Sequence, residues 1–175
     1  MAVSARGFTL IEILVVIVIL AITATFAVLA ITSGGDEKYL KSTSLSVYDK
    51  LKSAQLQAQL RPAVLGCLIG ETQVGFYIFQ LKSGRDLQQG KWFKLTDTPF
   101  KEKNWGEHTQ VQLLINGKLQ PLAETGRKVM PQIVFSMTGD VKPFTLLFSS
   151  HHRSPHYKIT AQRNGNIVWH EMASP

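Results

Sequence analysis

The 175-residue chain has one cysteine, Cys67, so no internal disulfide can staple its fold. Its formal charge of +7 admits nucleic acid, anionic lipid or acidic protein as partners and selects none of them. Apolar residues crowd into the first thirty positions, and the chain beyond residue 60 is long enough to bury one modest core.

Residues 13–30 read Ile-Leu-Val-Val-Ile-Val-Ile-Leu-Ala-Ile-Thr-Ala-Thr-Phe-Ala-Val-Leu-Ala, with Thr23 and Thr25 as the polar interruptions. Both hydroxyls can bond back to helical carbonyls. At 1.5 Å per residue the run rises ~27 Å, close to the hydrocarbon thickness of a bilayer. A single span in lipid must satisfy its backbone internally, so a membrane helix is expected over residues 8–31. A cleaved secretory signal fits poorly, because the apolar stretch is longer than such signals carry and no Ala-x-Ala site follows it. A plain anchor would explain the hydrophobicity but not what precedes it.

What precedes it is Arg6-Gly7-Phe8-Thr9-Leu10-Ile11-Glu12. This resembles the class III signal of type IV pilins and pseudopilins, a short basic leader ending in Gly before Phe-Thr-Leu-Ile-Glu and an apolar helix. The resemblance implies a leader over residues 1–7, cleavage by prepilin peptidase between Gly7 and Phe8, and methylation of the new Phe8 amine. Small Gly7 lets an extended backbone enter a protease site where a larger residue would clash. Glu12 sets a carboxylate at the edge of an apolar helix, a placement that costs roughly 2.5–3.5 kcal/mol at bilayer depth and points to function. In the family the corresponding glutamate pairs with the amine of a neighbouring subunit's first residue, which here is Phe8. The plainer reading has Glu12 snorkelling to the interface. Arg6 before the span favours a cytoplasmic N-terminus. Lys38 and Lys41 beyond it blur that rule, so the peptidase site decides the orientation: single-pass in the inner membrane, with the C-terminal domain in the periplasm.

Residues 32–35 contain Gly34-Gly35, where each glycine costs about 1 kcal/mol against Ala in a helix, so a hinge is expected. The family's helix-breaking proline is missing from residues 13–31. Asp36 can cap a resumed amphipathic helix over 36–61, with Leu40, Val47, Leu51, Ala54 and Ala58 on one face. Pro62 disfavours helix at the residue before it and ends the element.

Residues 62–175 read as a β-rich domain. Strands are expected at 63–69, 74–81, 91–95, 111–115, 133–137, 144–149, 157–163 and 166–171, separated by Gly, Pro and polar clusters. Asn164-Gly165 is a strong hairpin signal and Asn116-Gly117 a second. Residues 82–110 look irregular, a long surface loop. The fold class expected is α+β and pilin-like: a long N-terminal helix, part transmembrane and part amphipathic, packed on an antiparallel β-sheet domain.

Within the family, the chain lacks the Cys pair of many true pilins and the terminal acidic cluster that forms the calcium site of major pseudopilins. Leu51 to Ala58, Val74-Gly75-Phe76-Tyr77-Ile78-Phe79, Gly90-Lys91-Trp92 and the Phe135-x-x-x-Gly139 turn resemble the H class of minor pseudopilins, grouped with the FimT-like pilins. That resemblance implies a subunit of the periplasmic pseudopilus of a type II secretion system. Its partners would be other minor and major pseudopilins, prepilin peptidase, the inner-membrane assembly platform and, before assembly, membrane lipid. The alternative is a FimT-type minor pilin that binds DNA in natural transformation or serves pilus assembly. Its requirement is clustered basic residues, for which Lys142, Arg153, Lys158 and Arg163 stand as candidates; they read equally as spaced surface charges.

Catalysis finds little support. His151-His152-Arg153-Ser154-Pro155-His156 offers three imidazoles, but Arg153 repels a cation and no carboxylate or thiolate lies nearby, so no metal site is expected. Cys67 reads as a small core residue rather than a nucleophile. Walker and nucleophile-elbow motifs are missing, and no cofactor is expected.

Overall fold

The structure is a computed structural model that describes residues 10–81, 90–106, 109–124, 129–150, 155–162 and 164–172, with the side chains of 25–34 and 36 left aside. The chain divides into two compact units, Met1–Lys38 and Tyr39–Pro175. One helix, α1 (Leu10–Leu60), contributes to both. Its backbone stays helical through Gly34 and Gly35, where the sequence predicts a hinge between two helices. A penalty of about 1 kcal/mol per glycine is local and does not outweigh the hydrogen bonds that a break would orphan. The helix ends where Pro62 predicts, with Arg61 N–H donating to the Gln57 carbonyl at 3.0 Å.

In the second unit the predicted stripe is the buried one. Leu40 is 2% exposed, and Val47, Leu51, Ala54 and Ala58 are fully buried. Two antiparallel sheets share this core. The first runs β3 (Gly90–Leu95), β2 (Gln73–Leu81), β1 (Val64–Ile69), β7 (Ile133–Phe135), with β4 (Lys103–Asn104) also on β2. The second runs β10 (Ile167–Glu171), β9 (Tyr157–Ala161), β8 (Phe144–Ser150), β5 (Thr109–Ile115), β6 (Lys118–Gln120). Period-two alternation sets the faces. In β8, Phe144, Leu146 and Phe148 point into the core, and in β1, Leu65, Cys67 and Ile69 do the same. Each large side chain so buried contributes about 1.5–3 kcal/mol.

Every predicted strand is present, with ends displaced by a few residues. The expected surface loop over 82–110 is corrected. Within it Phe100 and Trp105 are buried, and β4 and the start of β5 fall inside it. Phe100 packs on Phe76 with centroids 5.5 Å apart, while Trp105 meets Phe148 of the other sheet edge-on at 6.3 Å. The Trp105 indole N–H donates to the Glu71 carbonyl at 2.7 Å, and its backbone N–H donates to the Thr72 carbonyl. A buried tryptophan with its polar atom satisfied anchors a segment that has no period of its own.

The two Asn-Gly signals give different turns. Asn116 (φ 50°) and Gly117 (φ 77°) both take positive φ in the two-residue loop joining β5 to β6. At Asn164-Gly165 the glycine is left-handed (φ 77°). Gly165 N–H donates to the Gln162 carbonyl and Gln162 N–H to the Asn166 carbonyl, both at 3.0 Å, which makes a three-residue hairpin loop. A third left-handed glycine, Gly139 (φ 82°), closes the Phe135-x-x-x-Gly139 turn, where Gly139 N–H donates to the Ser136 carbonyl. Asp140 N–H reaches Ser136 Oγ, and the Thr138 hydroxyl donates to the Asp140 carboxylate at 2.6 Å.

These turns yield a stability comparison. A Cβ at Gly139 would sit 1.9 Å from Gln59 Nε2, whereas one at Gly117 would meet nothing within 4 Å. Gly117→Ala should therefore cost only the backbone strain of about 1 kcal/mol, and Gly139→Ala should cost more, about 2–3 kcal/mol. Urea unfolding of the two variants measures the difference.

Burial also predicts a pH effect. The Cys67 thiol is fully buried, and desolvation pushes its pKa far above the ordinary 9.0. Tyr77 is shifted in the same direction, first by its own burial. The folded state holds these protons after the unfolded state has released them, so their stabilisation is complete below pH 9.0 and declines as pH rises past it. Cys67→Ala should flatten the first part of that alkaline decline in a Tm–pH series, leaving the Tyr77 part. In the native protein the thiol should resist labelling until the domain unfolds.

Candidate functional site

Glu12 lies near the start of the described part of α1. Gly7 and Phe8 fall outside the described residues. Around Glu12 the helix is apolar on every side, and residues 10–24 are all exposed, Leu10 at 92%. The Thr23 hydroxyl bonds back to the Ile19 and Leu20 carbonyls, each at 3.0 Å, so it adds no unmet polar group. A helix that is hydrophobic all round needs apolar cover, from lipid or from other helices. Among the described residues no helix is long and apolar enough to cross a membrane. The apolar run in the sequence continues through residues 25–30, whose side chains are outside the description.

In the second unit, α1 is tied to the domain on two flanks. On one, the Lys50 ammonium donates to the Pro99 and Lys101 carbonyls, and Gly106 N–H donates to the Tyr39 hydroxyl at 3.3 Å. Burial and then the nearby Lys103 hold the Lys50 pKa below its ordinary value. On the other flank, Gln55 Nε2 donates to the Gly139 and Gly165 carbonyls at 2.9 and 2.6 Å, and Gln59 Nε2 to the Thr138 carbonyl at 3.1 Å. Further along, Trp169 Nε1 donates to Ser44 Oγ at 3.0 Å, and Lys41 pairs with Glu171 at 2.9 Å. The face between these flanks carries Asp49, Lys52, Leu56 and Leu60, all exposed, with Leu45 and Ser53 partly buried; Leu56 is 55% and Leu60 72% exposed. Sequence reasoning found the buried stripe but not the flanking ties. Gln and Lys at those positions carry no signal until the turns they meet are placed.

Of the four basic candidates, Arg153 and Arg163 fall outside the described residues. Lys142 stands exposed on the segment entering β8. Lys158 sits half-buried in β9 opposite Leu147, five residues on from position 142 and so roughly 17 Å along the strand. The two described lysines are not brought together. His156 tilts against Tyr157 with centroids 6.4 Å apart, while His151 and His152 lie outside the described residues.

A family model described as the prokaryotic N-terminal methylation motif matches residues 4–32. No curated protein matches the sequence. Among solved structures, the minor pseudopilin EpsH of the type 2 secretion system of Vibrio cholerae is similar in two determinations. One has TM-score 0.62 at 22% identity, covering 75% of this chain and 94% of that one. The other has TM-score 0.64 at 21% identity, covering 77% and 97%. The solution structure of E. coli GspH aligns with TM-score 0.55 at 17% identity over 77% of this chain and 89% of that one. At such identities the likeness establishes the fold. The chain joins the N-terminal methylation motif of the type IV pilin-like proteins to the fold of the minor pseudopilins.

Proposed function

We propose that this chain is a minor pseudopilin of a type II secretion system, a structural subunit of the periplasmic pseudopilus rather than a catalyst. One observation carries the reading: an apolar helix exposed on all sides, headed by the methylation motif, continues into a domain with the EpsH and GspH fold. Before assembly the helix lies in the inner membrane, with the N-terminus cytoplasmic and the domain periplasmic. Prepilin peptidase cuts between Gly7 and Phe8, and the Phe8 amine is methylated. The assembly platform then moves the helix from lipid into a bundle of like helices, an exchange of one apolar environment for another that costs little desolvation.

Glu12 supplies the directional element in this scheme. In an apolar bundle its carboxylate needs a positive partner, and the Phe8 amine of the neighbouring subunit provides one. Within the second unit, exposed Leu56 and Leu60 offer a further apolar contact. Partners on this reading are the other minor pseudopilins and the major subunits.

The processing step is read from the mature protein by mass spectrometry. Its N-terminus should be Phe8, heavier by one methyl group, and a chain that still begins before Gly7 in cells with active prepilin peptidase would sink the reading. Glu12→Ala leaves the partner amine unpaired in an apolar setting, a loss of about 3–5 kcal/mol. Co-purification with the other pseudopilins should fall by about a hundredfold or more, and secretion should fail with it. Unchanged incorporation would remove Glu12 from the mechanism.

A further inference from the structure

The two faces of the first sheet are covered differently. Cys67, Ile69, Val74 and Phe76 face the helix stripe and share its core. The opposite pleat sets Leu68 beside Gly75 and Tyr77 beside Lys94, and this face is turned away from α1. On it lies a cavity of about 340 Å³ that the secretion reading does not use. Leu68, Ala123 and Val129 give it an apolar lining, and Glu71, Glu102, Glu124 and Lys94 bring charge to it.

Tyr77 lines the same cavity and is 8% exposed. Its phenol lies across Gly75, where a Cβ would stand 3.2 Å from the ring and 3.3 Å from the hydroxyl. Among the described residues that hydroxyl has no hydrogen-bond partner. A buried hydroxyl without a partner carries a desolvation cost that a bound polar group relieves. Burial raises the Tyr77 pKa above its ordinary value, while the nearby Lys94 ammonium lowers it and the Glu102 carboxylate raises it. The phenol thus sits among the charges of the cavity and bonds to none of them.

Those charges have a sign. Three carboxylates, Glu71, Glu102 and Glu124, share the lining with one ammonium, Lys94. Lys94 pairs with Glu102 at 2.6 Å, so these two offset each other. Glu71 is exposed and has no ion-pair partner among the described residues. It leaves the lining negative even with Glu124 set aside. Among the described residues no group of three such side chains can hold a metal ion, so the fitting ligand is an organic cation. The cavity stands at the small end of the range for ligand sites, with room for one cationic group and its stem.

We propose that this cavity binds an ammonium or guanidinium group on a short aliphatic stem. The Tyr77 hydroxyl oxygen accepts a hydrogen bond from the cation, Glu71 supplies the opposing charge, and Leu68 and Val129 lie against the stem. A lysine or arginine side chain of another protein and a free small amine share this chemistry. The site lies on the sheet face opposite α1 and stands apart from the secretion reading.

The test uses the full chain in detergent micelles and follows the Gly70, Gly75 and Tyr77 amides by NMR. The probes are n-butylammonium and N-acetyl-lysine amide, with N-acetyl-norleucine amide as the neutral counterpart. Both cations should shift these amides saturably and bind more weakly at high salt, and the neutral probe should leave them unchanged. Tyr77→Phe removes a hydroxyl that bonds to nothing among the described residues, so it should keep the fold by circular dichroism and weaken both cations by about tenfold. Glu71→Gln should weaken them as much and remove most of the salt dependence. If the phenylalanine variant unfolds, Glu71→Gln, at an exposed position, decides. Tighter binding of the lysine derivative identifies a protein side chain as the source, and equal or tighter binding of butylammonium a free amine; both uphold the site. No saturable shift with either cation would overturn the proposal, as would an equal shift with the neutral probe or wild-type affinity in both variants. Binding seen only after Arg127→Ala and Lys128→Ala together would overturn it in favour of the chain's own basic residues as the occupant.

Discussion

Burial of one stripe of α1 holds the domain together. Leu40, Val47, Leu51, Ala54 and Ala58 share a single apolar cluster with Cys67 and Phe76 of the first sheet and Phe148 and Ile159 of the second. The helix is thus a component of the domain core. Small Ala54 and Ala58 sit near the point where Gln55 and Gln59 reach the Gly139 and Gly165 turns, and they let the helix backbone come close there. A longer side chain at either alanine would push the helix away from those carbonyls and leave their acceptors unmet.

The parts of this arrangement legible in the sequence were those with a period. The helix stripe at spacings of three, four and seven is unambiguous, and so is the alternation in β8 and β9. Where the period is missing, reading fails for identifiable reasons. Residues 96–106 follow no pattern, because Phe100 and Trp105 are held by ring contacts and by hydrogen bonds to Glu71 and Thr72, partners over thirty residues away. Strands β4 and β6 are two and three residues long, too short to show alternation. The glycine pair in α1 suggests a break when judged locally, but helix formation is cooperative and the flanking turns carry it through.

The functional surfaces divide in the same way. The methylation motif is contiguous, so seven residues in a row announce it. The uncovered face of α1 follows once the buried face is known, because the two are complementary on one helix. The order of the strands could not be read this way. Whether a strand is an edge depends on sheet order, and nothing in Ile-Val-Trp-His-Glu distinguishes an edge strand from an interior one. The four basic candidates fall between these cases. Scattered in sequence, they read equally as residues that converge in the fold and as spaced surface charges, and Lys142 and Lys158 are the two that are described.

The ties between α1 and the domain have a mechanical consequence. Lys41, Ser44, Lys50, Gln55 and Gln59 are spread over five turns of the helix, and between them they hold β10, the 99–101 segment and the turns at Gly139 and Gly165. A load directed along the helix axis meets all of them at once, as a shear joint does, and must break them together. A load that lifts the helix away sideways would meet them one by one, starting at whichever end is raised, as in peeling. The domain is therefore built to be dragged by its helix and is far weaker against being pried from it.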